Sequence, residues 1–184
     1  MVEQEKIKLI SKEKEEFLVS PEIQNMSILL QHMLEDLDGD YSEPVPLPAV
    51  SSKYLRLIIE FCEMHNFSKA QTDLVFPLPS KHPNEFISDP RELAFIQRFS
   101  EDELIEMISA TNFMHVPALF ELCCAMIASD LKGKDFNQMK KKYGLDDVEF
   151  TPADEEEILR QFPWIQAEAE EKIAKLKRES NQQA

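Results

Sequence analysis

Glycine is nearly missing from this chain, with 3 in 184 residues. Loops that cradle a phosphate on successive backbone amides are built largely from glycine, so nucleotide binding of that kind has almost no material here. Cysteine is as scarce: 3 residues, an odd count, supply no disulfide framework and fit a reducing compartment. Positive charge is short too, with 20 Lys and Arg against 35 Asp and Glu and a net charge of −15. That is the wrong sign for a phosphate backbone or an anionic membrane surface. No apolar run approaches the roughly 18–20 residues of a membrane span. The opening residues, MVEQEKIKLI, lack the uninterrupted apolar core of a secretion signal. The expectation is a cytosolic and nuclear protein with neither nucleic acid nor membrane as partner.

A catalytic constellation is also missing. His32, His65, His82 and His115 are scattered, with no metal-ligand spacing among them. Cys123 and Cys124 are adjacent, so on a helix their side chains diverge by about 100° and cannot readily share one ion. With Cys62 they read as small apolar residues on or beside a packed face. The run Asp154 to Glu157 reads as a solvated first helical turn. No catalytic, cofactor or metal residue is assigned, and the chain is not expected to be an enzyme. A zinc or cysteine enzyme is the reading from a different class, one that stoichiometric zinc or an acidic thiol would revive.

What the chain does have is a succession of well-marked helices from Ser100 to Leu145. Ser100 with Glu103 forms a capping box, and Leu104, Ile105, Met107, Ile108 and Thr111 follow as an apolar stripe. Pro117 suits a first helical turn. Behind it Leu119, Leu122, Cys123, Met126, Ile127 and Leu131 recur at helical steps, until Gly133 can take a left-handed conformation. Asp135 caps a short third helix that Gly144 ends.

Upstream, Ile7 and Leu9, then Phe17 and Val19, alternate with polar residues as a hairpin with one apolar face. Ser20-Pro21 and Ser27 open two helices, the second carrying Ile28, Leu30, Met33, Leu34 and Leu37 before an acidic turn. Prolines alternating with Val45 and Leu47 make residues 44–48 an edge strand. Ser51 or Ser52 starts a helix with Leu55, Ile58, Ile59 and Cys62. Residues 66–90, rich in proline and without periodicity, read as a long mobile insert, loop rather than docked element. Near the end, Thr151 caps a helix with Pro152 in its first turn, and Ile158, Leu159 and Phe162 on one face. Pro163 interrupts, and Trp164 to about Arg178 resumes as a charged helix with pairs four apart.

Several of these segments, in this order, resemble the S-phase-kinase-associated (Skp) adaptor family of Skp–cullin–F-box ubiquitin ligases. The match runs through Ile7-Lys8-Leu9, Met33-Leu34-Glu35-Asp36-Leu37 and Pro44-Val45-Pro46-Leu47-Pro48-Ala49-Val50. It continues through Ala110-Thr111-Asn112-Phe113-Met114, Lys132-Gly133-Lys134, Phe150-Thr151-Pro152 and Trp164, from about Lys6 to Trp164. The resemblance implies an α+β, mainly helical fold: a BTB/POZ-type N-terminal α/β domain in residues 1–65 and 91–132, divided by the insert at 66–90. A helical extension with a longer tail would follow in 133–184. It implies a non-catalytic adaptor bridging a cullin scaffold to F-box substrate receptors. An elongin-C-like or kinetochore module of the same fold, with partners lacking an F-box, is the alternative.

Carried over by position, the resemblance implies cullin binding by Asn112 and Phe113, where phenylalanine replaces the family's tyrosine. It implies F-box binding by Cys124, Ile127, Leu131, Lys132, Gly133, Lys134, Met139, Tyr143, Leu145 and Trp164. Weak self-association is expected when no F-box covers that apolar surface. Pro152 matches a proline that some protist members hydroxylate and glycosylate; the plain reading is a first-turn proline. The insert, the Phe113-Met114-His115 segment and the long tail depart from the family pattern.

Overall fold

The computed structural model describes residues 6–35, 41, 43–69, 71–145 and 151–165. The chain divides into two compact units, Met1–Gly133 and Lys134–Ala184.

The first unit opens with the expected hairpin. Strand β1 (Ile7–Ile10) pairs antiparallel with β2 (Glu16–Val19), Ile7 opposite Val19 and Leu9 opposite Phe17. Alternation decides the faces: Ile7, Leu9 and Val19 are buried, while Leu18 between them is exposed. The two-residue strand β3 (Val45–Pro46) runs parallel to β1, placing it at an edge in the order β2-β1-β3. Proline costs that edge nothing, since the outward amide would face solvent; Val45 and Leu47 turn into the core.

Ser20 caps a 3-10 turn at Pro21–Asn25 and Ser27 caps α1 (Ile28–Glu35), its hydroxyl accepting from the Leu30 amide. Leu30 and Leu34 are buried, whereas Ile28 is exposed; Leu37 and the acidic turn lie outside the described residues. Helix α2 (Ser52–Met64) buries Leu55, Ile58, Ile59, Phe61 and Cys62. Its cap differs from expectation. Ser51 makes no side-chain capping bond; Glu13 reaches across from the hairpin loop and accepts from the Ser52 amide at 2.6 Å and its hydroxyl at 2.9 Å. That bonding holds the Glu13 carboxyl below its usual range.

The described insert residues before Pro90 are loop with one 3-10 turn at Pro83–Glu85, but they are not detached. Leu78, Phe86 and Ile87 are buried in the same core as the sheet and α2. A polar clamp also ties it down at its start. Lys69 bonds Asp73 and Glu92 at 2.7 Å each, and His65 Nε2 lies 3.0 Å from the same Glu92 oxygen. Burial pulls the Lys69 ammonium down, but its two carboxylate partners outweigh this and hold it above its ordinary value. Glu92 belongs to α3 (Pro90–Ile96), a helix capped by Asp89 that helical spacing did not reveal.

Helices α4 (Glu101–Met114) and α5 (Pro117–Leu131) form an antiparallel pair against this core, consistent with a connection of two residues. The Ser100–Glu103 capping box is present, and Glu103 also accepts from Lys53 of α2 at 2.6 Å. Leu104, Met107, Thr111 and Met114 face inward. Ile105, expected in that stripe, stands about 100° from Leu104 around the helix and is exposed.

In the second unit, α6 (Phe136–Tyr143) starts at an Asp135–Gln138 capping box and stops at Gly144, whose φ is +63°. Helix α7 (Pro152–Gln161) starts at a Thr151–Asp154 capping box, and Phe162 ends it before Pro163. The tail helix expected beyond lies mostly outside the described residues, as does Phe150.

Candidate functional site

The first candidate surface is the end of α4. Buried Thr111 donates to the Met107 carbonyl at 2.8 Å, which turns its hydroxyl back into the helix. The next two residues, Asn112 and Phe113, are exposed, and Met114 is buried again. His115 then takes a left-handed φ of +53°, and its amide closes on the Asn112 and Thr111 carbonyls. Two bonds anchor this corner to the start of α1: Ser27 Oγ donates to the Met114 carbonyl at 2.6 Å, and the Ile28 amide donates to the His115 carbonyl at 3.0 Å. A cavity of about 210 Å3 opens beside it, walled by Asn112, His115, Pro117, Phe120 and Glu121.

Ile105 belongs to this surface. It precedes Asn112 by two turns and lies about 20° away around the helix, so the two share one exposed face. Sequence reasoning assigned Ile105 to the core; its 100° offset from Leu104 was the signal against that.

The second candidate surface is on α5. Leu119, Leu122, Cys123 and Ala125 are buried, but Cys124, Ile127 and Leu131, spaced by three and four, are each half-buried. Lys132 ends the helix, and Gly133 follows at φ +82° with open space where a Cβ would sit. The glycine is therefore required by backbone conformation and not by crowding. Lys132 does not simply reach into solvent: its ammonium donates to the Leu78 carbonyl of the insert at 2.5 Å.

The third group lies in the second unit. Met139 is half-buried and Tyr143 and Leu145 are exposed; Phe136, which sequence reasoning passed over, completes an i, i+3, i+7 row with Met139 and Tyr143. Lys140 and Lys142 sit over the Phe136 and Tyr143 rings at 5.8 and 5.1 Å from the centroids. On α7 and just past it, Ile158, Phe162 and Trp164 are exposed, Trp164 by 61%. No residue of α6 or α7 is buried. Lys134, half-buried, precedes the Asp135 cap. Pro152 is exposed at the first turn of α7, where its missing amide proton is no loss.

The cysteines carry no sign of chemistry. Cys62 and Cys123 are buried and Cys124 is half-buried, all three free. Burial pushes the Cys62 thiol up to about 12 and raises those of Cys123 and Cys124 as well, the opposite of an activated nucleophile. Among the described residues no group of His, Cys, Asp and Glu is arranged to hold a metal, and no helix is long and apolar enough to cross a membrane.

Comparison with known proteins gives one answer. Residues 5–67 match the tetramerisation domain of the Skp1 family, and residues 117–165 match its dimerisation domain. The chain is 32% identical to suppressor of kinetochore protein 1 of Schizosaccharomyces pombe over 88% of its length and 98% of that protein. It is also 32% identical to the E3 ubiquitin ligase complex SCF subunit sconC of Arthroderma benhamiae, over 88% of this chain and 95% of the relative. With the S-phase kinase-associated protein 1 homolog of Tetrahymena thermophila it shares 30% identity, over 88% and 94% of the two chains.

Proposed function

The chain belongs to the Skp1 family, and we propose that it is a non-catalytic adaptor joining a cullin scaffold to F-box substrate receptors in a ubiquitin ligase of the cytosol and nucleus. The observation that carries this reading is the apolar surplus of the C-terminal helices. Phe136, Tyr143, Leu145, Ile158, Phe162 and Trp164 are all exposed, on or just past helices without a single buried residue. Apolar surface on that scale marks a partner site, and amphipathic helices meeting a helical partner are a common way to fill it. The receptor would be held by Cys124, Ile127, Leu131, Lys132 and Gly133 of the first unit, with Lys134, Met139, Tyr143, Leu145 and Trp164 of the second. Phe136 joins them by its place in the Met139–Tyr143 row. When no receptor is bound, the same residues give weak self-association.

The cullin would meet the corner of α4 at Asn112 and Phe113, widened by Ile105. Phenylalanine at 113 keeps a ring 39% exposed for a partner pocket and forgoes one hydroxyl bond, worth about 1 kcal/mol. Names of the relatives as ubiquitin-ligase subunits favour this over an elongin-C-like module. Affinity purification of the tagged chain from its own cells tests it. A cullin together with several F-box proteins is the expected recovery, and recovery of neither overturns the reading.

A further inference from the structure

Residues 74–79, Leu-Val-Phe-Pro-Leu-Pro, contain no charged side chain in a chain of net charge −15. Their ends are fastened: Leu74 packs against the core, and Leu78 is buried in it. Between them Val75 and Phe76 are exposed by 70% and 56%, Val75 the most of any large apolar residue among those described. Upstream, Lys69 bonds Asp73 and Glu92, and the Leu74 amide donates to Thr72, so the segment is held on both flanks. Two adjacent uncovered apolar side chains on a support held at both ends are a presented surface.

Where they are presented is set by one bond. Leu78 carbonyl accepts from the Lys132 ammonium, the residue that follows Leu131 at the end of α5. Leu131 closes the half-buried row Cys124, Ile127, Leu131. The insert thus meets α5 at the end of that row, one lysine side chain away.

We propose that Val75 and Phe76 extend the receptor-binding surface of α5, and that the insert thereby helps select which F-box receptors the adaptor accepts. The inference rests on the bridging function above and adds a specificity element to it. The occupant is the same helical receptor that covers Cys124, Ile127 and Leu131, because the Lys132–Leu78 bond makes the insert continuous with their row.

The test uses the full chain, an F-box domain taken from a receptor recovered in the purification, and the N-terminal segment of the recovered cullin. The double variant Val75→Ser, Phe76→Ser is expected to weaken F-box binding on the order of tenfold, the scale for truncating an interface anchor. Cullin binding and thermal unfolding should stay as in the unmodified chain, since both side chains are exposed. In parallel, a photo-reactive benzoyl group placed on the ring at position 76 should crosslink to the F-box domain and not to the cullin segment. Unchanged F-box affinity without a crosslink, or equal loss for both partners, overturns the insert's role and leaves the bridging function standing. Loss of self-association alone, with F-box binding intact, assigns the patch to a second copy and overturns it too. If the unmodified chain binds no F-box domain, the bridging function falls and the insert's role with it.

Discussion

Ser27 Oγ donates a hydrogen bond of 2.6 Å to the carbonyl of Met114, across 87 residues of sequence and inside the core. The same oxygen accepts from the Leu30 amide, so a single hydroxyl caps α1 and pins the corner where Asn112 and Phe113 emerge. Replacing Ser27 with Ala strands a buried carbonyl and removes a helix cap. The expected cost is about 1–3 kcal/mol of stability, read by chemical denaturation. Cullin affinity should fall as well although Ser27 touches no partner, while F-box affinity at the same folded fraction should not change.

The two partner surfaces should separate by mutation. Asn112→Ala with Phe113→Ala is expected to lower cullin affinity at least tenfold while leaving F-box binding intact; Ile105→Ala should act in the same direction with a smaller effect. Pulldown with each purified partner reads the difference, and equal loss of both would show the division to be drawn wrongly.

Trp164→Ala should do the reverse. A tryptophan 61% exposed in the free chain has most of its surface left to bury against a partner, and truncating such an anchor typically costs about 2 kcal/mol or more, roughly thirtyfold. Titration calorimetry against an F-box domain checks the magnitude, with cullin binding as the control.

His65 predicts an acid-sensitive fold. Burial lowers its pKa below 6.5, Glu92 opposing, and its Nε2 makes no aligned hydrogen bond despite lying 3.0 Å from that carboxylate. Above 6.5 both folded and unfolded chains hold the imidazole neutral, so it contributes nothing to the pH slope. Below 6.5 the unfolded chain takes up the proton first, so stability falls with falling pH until the folded pKa is reached. The carboxyls of Asp89 and Glu103, held at about 2 by their partners, act lower, as pH drops through their unfolded values near 4. Melting temperature should therefore decline already between neutrality and pH 5, and His65→Gln should flatten that part of the curve. An unchanged slope would assign it elsewhere.

Cys124 offers a footprint. It is half-buried on the α5 row proposed to meet the receptor, while Cys62 and Cys123 are buried in the core. At a pH high enough to form thiolate, a thiol reagent should label Cys124 first in the native chain, and a bound F-box domain should slow that labelling severalfold. Equal rates with and without the domain would remove Cys124 from the interface.

Local signals made much of the fold legible before any coordinates. The hairpin at Ile7–Val19 is written in period-two alternation, and the starts of α4, α6 and α7 in side chains three residues apart, distances over which no tertiary information is needed. What stayed hidden depends on contacts far along the chain. The insert is fastened by Lys132 to Leu78, 54 residues apart, and by Glu92 to Lys69. No periodicity could announce either. Likewise Glu13 replaces Ser51 as the effective cap of α2 because the hairpin loop happens to end beside it. Helix α3 was within reach: Asp89-Pro90 is the same cap-and-proline signature as Ser20-Pro21, obscured by the proline-rich stretch before it. Of the site, Asn112, Phe113 and the α5 row were located through family resemblance; Ile105 and Phe136 needed the helix geometry.

The capping boxes of α6 and α7 have a kinetic consequence. Helices of 8 and 10 residues with no fully buried side chain are marginal on their own. Each reciprocal cap adds about 1 kcal/mol, roughly a fivefold gain in helical population. Part of the ordering is thus complete before any encounter, so a partner docking on them would capture helices already formed instead of waiting for a coil to wind. Association is faster for it, and the loss of chain entropy that binding must overcome is smaller.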